Sequence, residues 1–273
     1  MTNAGGDSGE GKLQESVRVE EATVEKEPAT VPIRTVLFDI YGTLIDIQTN
    51  ESRDDIFDTL SRFLEYRNIF IGPRTLKELY FAELHQQFAR SREKCPEVDV
   101  LRAFETVLRD RGRSSDRYLS ILVTQLYRSL TREQFALFSD TFWTLTEFRR
   151  RYRMGIVTDA QRLFCCPELR SLRIEDFFDA IVISSDYGFR KPDPRLFHIA
   201  LAAMDARAGE TAYIGNKYET DLLGAKRAGL RVAGLIHQSD EARRVYADKP
   251  APDFVAQNLG EAYRLINEMG GAA

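Results

Sequence analysis

Val36-Leu37-Phe38-Asp39-Ile40-Tyr41-Gly42-Thr43-Leu44 is the stretch from which the rest of the chain can be read. Its opening continues a short run from Arg34 that is apolar on both faces and β-branched at its start, as a strand buried in a parallel sheet is. Asp39 ends that run and leads into a turn containing Gly42. A buried carboxylate is costly unless something pairs with it. Ligands of open α/β sheets collect at the carboxyl ends of strands. Asp39 is therefore a candidate nucleophile or metal ligand.

Downstream the periodicity becomes helical. Ile56, Phe57, Leu60, Phe63 and Leu64 form one apolar stripe, and Leu76, Leu79, Tyr80, Leu84 and Phe88 form a second. Thr75-x-x-Glu78 reads as a capping box opening that second helix. Val100, Leu101, Phe104, Val107 and Leu108 mark a third, Tyr118–Leu130 a fourth, and Thr131-x-x-Gln134 opens a fifth. No strand is predicted between about Ser52 and Arg150. Strand–helix alternation then begins with Met154–Val157, which ends at Thr158-Asp159. Ala180–Ile183, Thr211–Ile214, Arg231–Leu235 and Asp253–Ala256 read as further strands. Asp193-Pro194 opens a helix, and another around Asp221–Ala228 closes at Gly229. Repeated βα units predict an α/β fold, a doubly wound, Rossmann-like parallel sheet with helices on both faces. The division that follows is a disordered acidic tail at 1–30, an α/β core at 31–47 and 151–273, and an all-helical insert at 48–150.

The 273 residues are 43% hydrophobic and 29% charged, a composition that buries a core without disulfides. Cys95, Cys165 and Cys166 form no CxxC pair, which fits a reducing, cytoplasmic setting. The vicinal pair reads as packing at a helix start. Residues 1–30 carry seven acids and three bases, and the whole chain is −4. The remainder is thus near neutral and offers no footprint for nucleic acid or an anionic membrane. The tail is poor in large apolar residues, which predicts disorder, and has no secretory h-region. No apolar run reaches the roughly 20 residues of a membrane span. His85, His198 and His237 show no metal-ligand spacing. Trp143 is expected to pack where the insert returns to the core. Nothing in the pattern sets an oligomeric state.

Polar residues stand at the predicted strand ends: Asp39, Thr158-Asp159, Asn216 and nearby Asp221. Lys191 sits in a Gly-x-x-Lys-Pro loop. If the strands are neighbours, these groups converge on one crevice. A carboxylate there can attack an electrophilic centre. The Thr158 hydroxyl and the Lys191 ammonium can hold the negative charge of the transferred group, and Asp221 can help hold a divalent cation. Each residue also has an ordinary reading: turn former for Asp39, turn hydroxyl for Thr158, solvated loop charge for Lys191, helix N-terminal acid for Asp221.

Taken together, Phe38-Asp39-Ile40-Tyr41-Gly42-Thr43-Leu44, Val157-Thr158, Lys191-Pro192-Asp193-Pro194 and Gly215-Asn216-x4-Asp221-x2-Gly224-Ala225 resemble the four motifs of the haloacid dehalogenase superfamily of hydrolases. The resemblance spans about residues 33–257, and the insert is similar to that family's helical C1 cap. It implies Asp39 as nucleophile, Thr158 on the transferred group and Lys191 neutralising both. It places Gly42, Thr43 and Asp159 beside the substrate. In a phosphatase it implies Mg2+ held by Asp39, the Tyr41 carbonyl, Asn216 and Asp221. The activity so implied is a phosphomonoesterase acting on a small phosphorylated metabolite.

Three positions depart from the phosphatase pattern. Tyr41 stands where the phosphatases have an Asp acting as general acid and base, and a phenol with a pKa of about 10 is a poor base near neutrality. Asn216 replaces an acid, and Asp159 replaces the commoner Asn. Tyr41 with Asn216 resembles the metal-independent 2-haloacid dehalogenases, the first alternative. A catalytically degenerate, ligand-binding relative is the second. The acids Glu219 and Asp221 keep the phosphatase spacing.

Overall fold

The computed structural model describes residues 31–109, 117–237 and 250–270; the tail at 1–30, and with it the disorder expected there, lies outside the described residues. The chain runs β1 (Thr35–Phe38), β2 (Ile45–Thr49), α1 (Asp54–Tyr66), α2 (Pro73–Arg90), α3 (Val100–Arg109), α4 (Arg117–Thr131), β3 (Arg132–Leu137) and α5 (Thr141–Arg149). It continues with β4 (Arg153–Thr158), α6 (Arg162–Ser171), β5 (Ala180–Ile183), α7 (Arg195–Ala203), β6 (Thr211–Gly215), α8 (Leu223–Arg227), β7 (Val232–Ile236), β8 (Phe254–Ala256) and α9 (Leu259–Glu268).

Six strands form a parallel sheet in the order β5-β4-β1-β6-β7-β8, so β1 is central. The doubly wound α/β reading holds. Because side chains alternate across a strand, Val36 and Phe38 join one apolar cluster with Met154, Ile156, Ala212 and Ile214. Leu37 joins the opposite cluster with Val157, Tyr213 and Leu196. All three β1 side chains are fully buried, each worth about 1.5–3 kcal/mol against exposure. Phe38 lies opposite Ile156 on one neighbour and Ile214 on the other. That register brings the carboxyl ends of β1, β4 and β6 to one edge.

Two features of the insert correct the sequence reading. Residues 132–137 form a strand, not the start of a fifth helix. β3 pairs antiparallel with β2, Ile45 opposite Leu137 and Ile47 opposite Phe135. Those cross-strand pairs override the local Thr131-x-x-Gln134 signal, since strand preference depends on a partner that is distant in sequence. The second helix opens at Pro73, with Gly72 as N-cap, so Thr75 already lies inside it. Proline suits a first helical position because its missing N–H would be unpaired there.

The helices α1–α4 share an apolar cluster containing Phe57, Tyr80, Phe104 and Tyr127. Tyr80 stacks on Phe104 with centroids 4.7 Å apart, and Phe164 of α6 joins the cluster from the sheet side. The loop between α2 and α3 is sewn to the loop before α7. Pro96 bridges Phe189, the Glu97 N–H donates to the Gly188 carbonyl at 3.0 Å, and the Arg190 N–H donates to the Cys95 carbonyl at 2.8 Å. Gln161 closes the seam, donating to the Val98 carbonyl at 2.7 Å and accepting from the Val100 N–H at 3.0 Å. Trp143 on α5 is 63% exposed, contrary to the packing role expected of it. Leu145 and Phe148 carry the buried face of that helix. Among the described residues no helix is long and apolar enough to cross a membrane.

Candidate active site

Asp39 follows Phe38 directly and extends the ladder, its N–H donating to the Ile214 carbonyl at 2.9 Å. The chain then turns tightly. The Ile40 carbonyl accepts the N–H groups of Thr43 at 3.1 Å, Leu44 at 2.8 Å and Ile45 at 3.0 Å. Gly42 sits at φ +77°, and a Cβ there would lie 2.2 Å from Asn216 Nδ2. Left-handed backbone and close approach both demand glycine. The same contact presses the β1 turn against the end of β6.

Lys191 is the hub of the site. It is 2% exposed, and its Nζ lies within hydrogen-bond distance of Asp39 Oδ1 at 2.8 Å, Asp221 Oδ1 at 2.5 Å, the Tyr213 hydroxyl at 3.0 Å and the Val157 carbonyl at 3.2 Å, four neighbours for three N–H donors. Its backbone N–H donates to Asp159 Oδ1 at 2.8 Å. Loop, β1 end, β4 end and β6 end thus meet at one ammonium. Thr158 is fully buried, and its Oγ1 has no hydrogen-bond partner among the described residues; the same is true of Thr43 Oγ1. Buried hydroxyls left unpaired are rare in native structures and call for an explanation.

The charges are unevenly shared, one cation between two buried acids. Burial pushes the Asp39 carboxyl up to about 6, against the pull of Lys191 and with the help of Asp221. Burial also raises Asp221, but Lys191 and the N–H groups of Lys217 and Asn216 overcome it and hold the carboxyl below its ordinary value. Burial would lower Lys191; Asp221 and Asp39 hold it well above the ordinary lysine range. Asp159 is raised by burial, with Lys191 opposing.

Tyr41 points elsewhere. Its hydroxyl donates to Glu168 Oε2 at 2.5 Å, and burial pushes the phenol well above its usual pKa. Glu168 lies on α6 and is 3% exposed. It also binds Arg128 of α4, Nε to Oε1 at 2.7 Å and Nη2 to Oε2 at 3.2 Å. Arg132 approaches Oε1 at 3.5 Å. The Arg128 guanidinium stacks over the rings of Tyr41 and Phe164, 5.4 and 5.0 Å from their centroids.

A cleft of about 820 Å³ opens between the sheet edge and helices α2–α4, lined by Tyr41, Asp159 and Lys191 on the sheet side and by Tyr80, Phe88, Tyr127 and Arg128 from the helices. Asp39 lies just behind Lys191, 5% exposed.

The donors at hand suit a divalent metal poorly. Asp221 Oδ1 accepts from Lys191 and from the Tyr213 hydroxyl at 3.0 Å, and Oδ2 accepts the N–H groups of Asn216 at 3.0 Å and Lys217 at 2.9 Å. Those four bonds use the acceptor capacity of a carboxylate. Position 216 supplies a neutral amide, and among the described residues no group of three or more His, Cys, Asp or Glu is placed to hold an ion. Hard cations such as Mg2+ favour carboxylate oxygens, and of Asp39, Asp159 and Asp221 the first two keep an oxygen outside these bonds.

The structure therefore brings together Asp39, Thr158, Asp159, Lys191, Asn216, Asp221, Gly42 and Thr43, and it carries the Tyr41 side chain away to Glu168. Sequence reading passes over Tyr213, Glu97, Ser184, Arg128 and Glu168. Tyr213 looks like a core aromatic, and its hydroxyl is placed only by the register of β6. The others come from elements whose approach no local pattern records.

Comparison with known proteins agrees with this architecture. The family model for haloacid dehalogenase-like hydrolases matches residues 36–235. The glyceraldehyde 3-phosphate phosphatase of Methanothermobacter thermautotrophicus is 26% identical over 171 residues, covering 57% of this chain and 76% of that protein. The N-acylneuraminate-9-phosphatase of Mus musculus is 23% identical over 238 residues, covering 87% and 95%. The crystal structure of a 2-haloacid dehalogenase from Pseudomonas syringae superposes with a TM-score of 0.64 at 22% identity, covering 86% of this chain and 99% of that one, a likeness of fold. With its sheet order, its strand-end residues and a family match across 200 residues in agreement, the chain belongs to the haloacid dehalogenase-like hydrolases.

Proposed function

We propose that the chain is a phosphomonoesterase acting on a small phosphorylated metabolite, with Asp39 as covalent nucleophile. The observation that carries this reading is the Lys191 hub, an ammonium 2.8 Å from Asp39 at the base of a cleft. Lys191 occupies Asp39 Oδ1, which leaves Oδ2 to attack phosphorus. The ammonium and the Thr158 hydroxyl take up the negative charge of the phosphoryl oxygens, and a charge-assisted contact of this kind is among the strong ones. Thr158 and Thr43, buried with unspent hydroxyls, fit a site completed by an anion. Gly42 and Asp159 flank the same space. Residues 48–150 act as the cap, with α2–α4 closing the cleft and selecting the part of the substrate distant from phosphorus. The phosphatase names of the two relatives support the same choice.

Mg2+ does not enter the proposed steps, because Asp221 is spent on Lys191, Tyr213 and backbone N–H groups. Lys191 supplies the positive charge instead. The same observation favours a second reading, metal-independent attack of Asp39 on carbon in a 2-haloacid. A panel of phosphorylated metabolites, assayed for phosphate with wild type and Asp39→Asn, separates the two. Phosphate release that disappears in Asp39→Asn is the expected result. Halide release from a 2-haloacid under chelator, with no phosphate from any ester, replaces the first reading with the second.

A further inference from the structure

Cleaving an alkyl phosphate requires a proton for the departing oxygen and a base for the attacking water, work done by a side chain near the reacting atoms. Most groups near Asp39 are already committed. The Tyr41 hydroxyl is held by Glu168 at 2.5 Å. The three N–H donors of Lys191 are spent among four close acceptors, and Asp221 accepts four bonds. Glu97 lines the cleft, but its Oε2 accepts from Ser184 Oγ at 2.6 Å and its Oε1 from the Val98 N–H at 3.0 Å. His237 rests its Nε2 3.3 Å from the Thr43 carbonyl and stacks on Phe138, outside the cleft lining. Asp159 differs from all of these. It lines the cleft next to Lys191, its Oδ1 is fixed by the Lys191 N–H at 2.8 Å, and its Oδ2 carries no hydrogen bond among the described residues.

We propose that Asp159 is the general acid and base of the hydrolysis, a role that rests on the phosphomonoesterase reading. In the first half-reaction Asp39 forms a bond to phosphorus as the bond from phosphorus to the ester oxygen breaks. That oxygen leaves as the alcohol, with the proton of Asp159. In the second, the Asp159 carboxylate takes a proton from water as the water oxygen bonds to phosphorus. The bond to Asp39 breaks, phosphate departs, and Asp159 is again protonated. The electrostatic surroundings agree. Burial raises the Asp159 carboxyl; Lys191 opposes, while Asp221 and Glu97 add to the rise. Asp159 adds in turn to the rise at Asp39.

The test compares wild type, Asp159→Asn and Asp39→Asn on glycerol phosphate and on p-nitrophenyl phosphate, whose leaving group departs as a stable anion. Asparagine keeps an acceptor for the Lys191 N–H, and thermal unfolding checks that the fold is retained. Asp159→Asn is expected to lose about 10²- to 10⁴-fold in kcat on glycerol phosphate. It is also expected to keep a pre-steady-state burst of nitrophenol while phosphoenzyme accumulates, and to lose one inflection from the pH profile. Undiminished turnover of glycerol phosphate overturns the assignment, and so does a nitrophenol burst that is lost along with steady-state turnover. Asp39→Asn abolishes turnover in either case if the underlying reading is right. A wild type that releases phosphate from neither these esters nor any member of the metabolite panel removes that reading, and this one with it.

Discussion

At Asp39 an ammonium lies 2.8 Å away, yet burial, aided by Asp221 on the same ammonium, pushes the carboxyl up to about 6. As the proposed nucleophile, Asp39 must be ionised to attack, so kcat/KM is expected to climb as pH passes through about 6. The same shift acts on stability with a definite sign. Folding raises this carboxyl from an ordinary value of 3.8 to about 6, so the folded state binds the proton more firmly. The stabilisation is fully present below about pH 4 and is lost as pH rises through about 6. The rise corresponds to about 3 kcal/mol at about 1.4 kcal/mol per pH unit. Asp39→Asn removes the buried charge and leaves Lys191 paired with Asp221. Urea titrations are expected to show the variant more stable than wild type at pH 8, with the advantage gone below about pH 4. A variant less stable at pH 8 contradicts this electrostatic picture. Much of the residue scale was legible in advance: an acid at the end of an apolar strand, and a glycine in the turn that its positive φ demands. The direction of the Tyr41 hydroxyl was not, because Glu168 lies on a helix 127 residues away.

Between elements, the tie that matters is Glu168 of α6 with Arg128 of α4. Their side chains are 4% and 10% exposed, so neither charge has water to fall back on. Removing Arg128 leaves the buried Glu168 carboxylate with only the Tyr41 hydroxyl and the more distant Arg132 at 3.5 Å. Arg128→Ala is expected to cost about 3–5 kcal/mol in chemical denaturation, while Arg74→Ala, an exposed i,i+4 partner of Glu78, is expected to cost under about 1 kcal/mol. Comparable losses in the two variants contradict the role given to the buried pair. The core strands were readable because they are short, apolar on both faces and separated by helix signals. The ribbon of β2 and β3 was not. Phe135 and Leu137 become a strand face only when Ile47 and Ile45 lie opposite.

Over the whole molecule, two apolar clusters flank the sheet and a third fills the space between α1 and α4. Phe164, the buried Arg128–Glu168 pair and the Cys95–Val100 seam join the third cluster to the sheet. Urea unfolding followed by tryptophan fluorescence and by far-UV circular dichroism is therefore expected to give one coincident transition. Two separated transitions would show the helices melting apart from the sheet. The layered architecture was legible from strand–helix alternation, and the convergence of strand ends followed from it. The seam and the cleft walls were not, since they depend on where the helices come to rest. The proposed hydrolysis depends on a bond between Asp39 and phosphorus. Rapid acid quench during turnover of a phosphate ester, followed by mass analysis of the tryptic peptide Thr35–Arg53, tests that bond directly. A phosphoryl adduct on Asp39 in wild type, lost in Asp39→Asn, is the predicted result. Phosphate release with the peptide unmodified at every time point would contradict it.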